Sequence, residues 1–159
     1  MSRFSLLRFL LCLLLAGLLP SWPADNDAQA LPAGAAKETV IKVCTACHDT
    51  GKFRKLRLTV DDWSDKVADM VDRGAQASDD DAKAIAAYLT ANFGPDSKLR
   101  VNTAPMLELK AVLGITAQQA QALTAWREAN GNFRKWQDLS KALGADGGKI
   151  ESKKDLMVF

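Results

Sequence analysis

The sequence predicts an all-α protein built from two small helical units in tandem. Three observations carry this. Apolar residues recur at helical spacing from about residue 35 onward, and no stretch alternates with the two-residue period of a strand. A Ser or Thr followed by acidic or amide residues precedes several apolar stripes, and Gly or Gly-Pro follows them. The pattern then changes across Asp96 to Arg100, a polar junction that separates residues 31–97 from 98–159. Each unit has about sixty residues, a size that buries little surface by itself.

Residues 1–30 stand apart. Arg3 and Arg8 lie in a charged start, Phe9 to Leu19 is a Leu-rich apolar run, and Ala28-Gln29-Ala30 has the small-x-small form of a cleavage site. Together these predict a secretory signal peptide. The run is shorter than the about 20 apolar residues of a spanning helix, and Pro20 and Pro23 end it. An uncleaved anchor is the competing reading. The mature chain is expected to begin near Leu31 and to be exported, to the periplasm if the source is Gram-negative, with no membrane span after cleavage.

Ala35 to Val43 is expected as the first helix, with Val40, Ile41 and Cys44 close to one face. It delivers Cys44-Thr45-Ala46-Cys47-His48, and Cys-x-x-Cys-His is a c-type haem attachment motif. Two thiols at that spacing reach the two vinyl groups on one porphyrin edge, and the adjacent His falls under the iron. The competing readings are a thioredoxin-like pair, a zinc half-site, or chance. A thioredoxin pair would follow a strand, and structural zinc wants four ligands. Beyond residue 30 the chain holds only these two Cys and this one His, so no disulfide is left over.

Asp49 to Leu58 is expected as a loop whose Lys52, Arg54, Lys55 and Arg57 face water or haem propionates. Thr59 then caps a second helix, with Asp61 and Asp62 in its first turn and Trp63, Val67, Met70 and Val71 on one stripe. Gly74 stops it. Ser78 caps a third helix with Ile85, Leu89 and Phe93 inward, ended by Gly94-Pro95. In the second unit, Pro105 to Leu113 is a short helix that Thr103 is placed to cap. Thr116-Ala117-Gln118-Gln119 is a capping box opening the next helix. Ala120, Leu123 and Trp126 face inward before Gly131, and Phe133 and Trp136 lead into Leu139 and Leu143. Gly144, Gly147 and Gly148 break the chain before a last helix from about Lys149, so that two helix–turn–helix units form a weak repeat.

The first unit resembles small class I c-type cytochromes, and within them the single-haem domains that accept electrons from periplasmic dehydrogenases. The matching residues are Cys44, Cys47 and His48, then Trp63, Val67 and Met70, Gly74-Ala75, and Ile85, Tyr88 and Leu89. The resemblance implies one covalently bound haem c, with His48 as proximal and Met70 as distal axial ligand. Trp63 and Arg57 are further candidate haem contacts. For Met70 and Trp63 an ordinary core role is the alternative.

The second unit resembles the helix-hairpin-helix domain of competence DNA-uptake proteins. The matching residues are Val101-Asn102-Thr103-Ala104, Leu109, Leu113-Gly114-Ile115, Ala120, Arg127, Gly131, Phe133, Asp138-Leu139 and Val158-Phe159. In that family the turn reads apolar-Gly-apolar-Gly and its backbone N–H groups hold a DNA phosphate. Here Thr116 replaces the second glycine, and the other turn reads Leu143-Gly144-Ala145-Asp146, with a carboxylate where phosphate would sit. Degenerate hairpins of this type also serve as docking modules in a photosystem extrinsic subunit.

Charge divides unevenly between the two units. Residues 31–97 hold nine Lys or Arg against eleven Asp or Glu, and residues 98–159 hold ten against six. The expected function is one-electron transfer by a single-haem c-type cytochrome, not an enzyme, with the hairpin unit as a docking domain. The expected partner is a periplasmic dehydrogenase or terminal oxidase, with DNA disfavoured. The alternative is a nucleic-acid-binding helix-hairpin-helix protein with an accessory haem domain. A third reading, a haem enzyme or gas sensor, requires that Met70 not bind.

Overall fold

The computed structural model describes Ala28 and residues 30–159. The expected signal peptide up to residue 27, and Gln29 of its cleavage site, lie outside the described residues. What is described is mostly helical. Helix α1 spans Lys37–Cys44, α2 Gly51–Arg54, α3 Val60–Asp72 and α4 Asp79–Phe93. Helices α5 Met106–Leu113, α6 Ala117–Asn130 and α7 Trp136–Leu143 follow, and then a run of 3-10 turns over Gly144–Leu156.

The start signals act as their chemistry demands. Thr59 and Ser78 each accept a hydrogen bond from the backbone N–H three residues on, and the Asp62 and Asp81 carboxylates each accept one from the cap's own backbone N–H. Thr116 and Gln119 do the same for α6. Gly74 at φ 104° and Gly114 at φ 68° end α3 and α5 in a conformation that glycine adopts freely.

Three expectations are corrected. Thr103 does not cap α5: Pro105 holds the cap position, and the Thr103 hydroxyl is buried without a partner. The last helix is not α-helical from Lys149, because Gly144, Gly147 and Gly148 tighten the chain into 3-10 turns that start earlier. Two strands exist, β1 Leu99–Arg100 and β2 Met157–Val158, paired in parallel with Leu99 opposite Met157. At two residues each they are too short to show alternation.

Buried apolar side chains form two clusters. One gathers Leu31, Val40, Phe53, Trp63, Ile85, Tyr88, Leu89 and Phe93, and the other gathers Leu99, Leu109, Leu123, Phe133, Leu139 and Ile150. Between them runs the segment 49–58. Gly51 packs so closely on Leu107 of α5 that an added Cβ would lie 3.2 Å from it. Glu108, also on α5, is buried and receives Arg54 Nε and Arg57 Nη2, each at 2.9 Å. Both guanidinium groups lie about 6 Å from the Phe93 ring, at 6.0 and 5.9 Å.

Candidate functional site

Two places in the molecule have the make-up of a site. The first is a cavity of about 320 Å³ between α1, segment 49–58, α3 and α4. Its wall is almost wholly apolar, and Cys44, His48, Trp63 and Met70 all line it. Each arrives for a sequence reason. Helix α1 ends at Cys44, and the turn after it carries His48. Trp63 and Met70 lie seven residues apart, two helical turns, on the buried stripe of α3. The Trp63 indole N–H donates to the Phe93 carbonyl at 3.2 Å, which fixes the ring.

His48 Nδ1 lies 3.0 Å from the Asp49 carbonyl. With the proton on Nδ1, that contact leaves Nε2 free, the arrangement common to metal-binding imidazoles. The Phe53 ring stands edge-on to His48 at 6.4 Å and to Phe93 at 6.0 Å. Cys44 is half-buried, and burial pushes its thiol up to about 11. Cys47 is exposed. The donor set fits a haem: an apolar slot lined by one thiol, one imidazole, one thioether and one indole. A zinc site fits less well, because the described residues contain no group of three or more His, Cys, Asp or Glu placed to hold a metal ion. A helix, not a strand, precedes the Cys pair, which also disfavours the thioredoxin reading.

Arg57 is not where a haem contact would be. Its guanidinium donates to Glu108 and to the carbonyls of Arg54 and Leu56, and it takes no part in the cavity wall. Arg54, expected to face water or propionates, is buried against the same Glu108. The lysines of the segment, Lys52 and Lys55, do line the cavity. Sequence reasoning missed Glu108, whose signal was an acid placed between Leu107 and Leu109 in an apolar helix.

The second place is the pair of hairpins. Helix α5 turns at Gly114, whose N–H returns to the Lys110 carbonyl at 3.0 Å, as does that of Ile115 at 3.2 Å. Buried Ile115 pins the turn. The capping box satisfies the N–H groups of Thr116 and Gln119. Helix geometry leaves over those of Ala117 and Gln118, both exposed at the first turn of α6. No atom lies within 4 Å of where a Gly114 Cβ would stand, so a ligand can approach the backbone there. In the second hairpin, Gly144 at φ 59° ends α7. The Asp146 carboxylate is bound by Lys149. Lys149, and after it Gln119, hold that carboxyl below the usual carboxylate range. Its charge is therefore paired within the turn.

Residues 95–156 match the model of the helix-hairpin-helix motif family. The chain is also similar to three curated proteins. It is 35% identical over 63 residues to an uncharacterized protein of Haemophilus influenzae. It is 33% identical over 61 residues to ComE operon protein 1 of Bacillus subtilis. It is 39% identical over 57 residues to endonuclease/exonuclease/phosphatase family domain-containing protein 1 of Xenopus laevis. These matches take in 39%, 38% and 36% of this chain and span 56%, 30% and 10% of those proteins. No solved structure matches. The C-terminal unit is thus a helix-hairpin-helix domain of the kind expected.

These findings correct the expected function. The family match is to a helix-hairpin-helix motif and one relative is ComE operon protein 1, and nothing in them supports a cytochrome, iron or electron-transport assignment. Electron transfer from a dehydrogenase, with the hairpins as a mere dock, is withdrawn. So is the view that DNA is a disfavoured partner. Its physical basis was the pair of altered turns; the Thr116 side chain caps α6, and Lys149 pairs the Asp146 carboxylate. Among the described residues no helix is long and apolar enough to cross a membrane.

Proposed function

We propose that this chain is an exported nucleic-acid-binding protein that acts through its helix-hairpin-helix domain and carries an accessory haem in its N-terminal unit. The observation that carries the reading is the helix-hairpin-helix match over residues 95–156, laid on an open turn at Gly114. Phosphate would meet the N–H groups of Ala117 and Gln118 and the positive end of α6. The basic balance of residues 98–159, ten cations against six acids, adds attraction through counterion release. The protein binds and does not catalyse.

Support for the haem is the Cys-x-x-Cys-His motif together with the cavity that Cys44 and His48 share with Met70. Cys44 and Cys47 would hold it covalently, His48 and Met70 would bind its iron, and Trp63 would pack against it. Iron held by imidazole and thioether supplies a redox-active centre of raised potential.

Two measurements test these parts separately. A labelled duplex titrated with the full chain at physiological salt is expected to show saturable binding in the micromolar range or tighter; no binding removes the nucleic-acid reading. Intact mass after acid–acetone extraction, from a host with haem-maturation machinery, is expected to exceed that of the polypeptide by one haem. The bare polypeptide mass removes the haem.

A further inference from the structure

One side chain joins the two hairpins at their turns. Gln119 Oε1 accepts from the Thr116 backbone N–H at 2.8 Å, and the Thr116 hydroxyl accepts from the Gln119 backbone N–H at 3.2 Å. With its oxygen occupied, the Gln119 amide has its NH2 group left to donate. That group hydrogen-bonds the Asp146 carboxylate, which when ionised only accepts. Asp146 belongs to the second hairpin, in the run of 3-10 turns after α7, and takes Lys149 as its other partner. A chain of contacts therefore runs from Lys149 through Asp146 and Gln119 to the N-cap of α6.

The outer link adds little to stability. The Lys149 and Asp146 side chains are 75% and 43% exposed, and an ion pair so open to water contributes little. Its effect is on geometry. The terminal torsion of a glutamine is loosely defined, so an amide gripped at both ends keeps one orientation. That orientation keeps the Thr116 N–H engaged and leaves the N–H groups of Ala117 and Gln118 as the open donors of the turn. We propose that Gln119 and Asp146 are positioning residues for the phosphate site at the first turn of α6, the carboxylate serving to anchor the amide. The inference rests on the nucleic-acid reading and deepens it: the site on the first hairpin is held in shape from the second.

The test compares the full chain with its Asp146→Ala and Asp146→Asn variants, by fluorescence anisotropy with a labelled duplex at physiological salt. Thermal unfolding of all three is followed alongside. Asp146 stands on a half-exposed turn away from both cores, so both variants are expected to unfold close to the parent. Electrostatics alone has a definite sign: each change removes a negative charge near phosphate, so each would tighten binding. The positioning role predicts the reverse for alanine. Asp146→Ala is expected to weaken binding roughly threefold to tenfold, the scale of one hydrogen bond. Asp146→Asn keeps an acceptor oxygen for the amide and is expected to bind at least as tightly as the parent. Binding by Asp146→Ala equal to or tighter than the parent's overturns the proposal. So does an equal loss in Asp146→Asn, which would assign the effect to the charge. Failure of the parent itself to bind the duplex overturns the nucleic-acid reading and this inference with it.

Discussion

Glu108 is a buried side chain that ties the two halves of the molecule together. It is 2% exposed and receives two guanidinium groups from a segment more than fifty positions earlier. Arg54 Nη1 and Arg57 Nε find no hydrogen-bond partner, so Glu108 is their main compensation. Removing one partner of a buried ion pair leaves an uncompensated charge and costs about 3–5 kcal/mol. Glu108→Ala should lower stability by that order in urea unfolding, and a loss below about 1 kcal/mol would show the network to be solvated. At this scale the sequence was legible where chemistry is local. Cys44, His48 and Met70 were recognisable because a pentapeptide and a helical stripe name them, and the fold does bring them to one cavity. Arg57 was misplaced because its partner lies 51 positions away, beyond any spacing rule.

Helix termini were the most readable elements, since a cap and its reciprocal residue lie within four positions. The Ser78–Asp81 pair gives a test with a definite sign. The Ser78 hydroxyl, and then its backbone, hold the Asp81 carboxyl below its ordinary range. A depressed carboxyl contributes stability above its ordinary pKa of about 4, and that contribution is lost as pH falls through the lowered value. Ser78→Ala should cost about 1 kcal/mol at neutral pH. The difference between the two proteins should shrink as pH falls below the lowered value, where Asp81 is protonated in both. A constant difference across that range would mean the carboxylate takes no part. The glycines after α7 show what sequence alone leaves merged. Gly144, Gly147 and Gly148 read alike as breakers, yet they do different things. A Cβ on Gly147 would strike the Ser140 carbonyl, whereas Gly148 has open space. Gly147→Ala should destabilise by about 1–3 kcal/mol, the usual range for overpacking, and Gly148→Ala should be near neutral. Comparable thermal shifts for the two would contradict the packing.

For the whole molecule, two units of about sixty residues each gain by leaning on each other. The polar junction at 96–100 was visible in composition. The contact between Leu107, Glu108 and segment 49–58 was not, because packing between units leaves no periodic mark. That contact places the cavity and the helix-hairpin-helix unit against one short segment. The function was misjudged for a related reason. A short, specific motif in the first unit outweighed a longer but degenerate pattern in the second, and Asp146 looked like an unopposed charge. The fold pairs it with Lys149, three positions on. The central claim is that phosphate is held at the first turn of α6. Gln118 is exposed there, in the first turn after the Thr116 cap. A carboxylate at that position favours the helix through its dipole and repels phosphate. The decisive measurement is duplex affinity by fluorescence anisotropy for the full chain and its Gln118→Glu variant at physiological salt, with thermal unfolding of both. The account predicts a loss of roughly tenfold or more in affinity with an unfolding temperature equal to or above that of the parent. Unchanged affinity in a folded variant would contradict it.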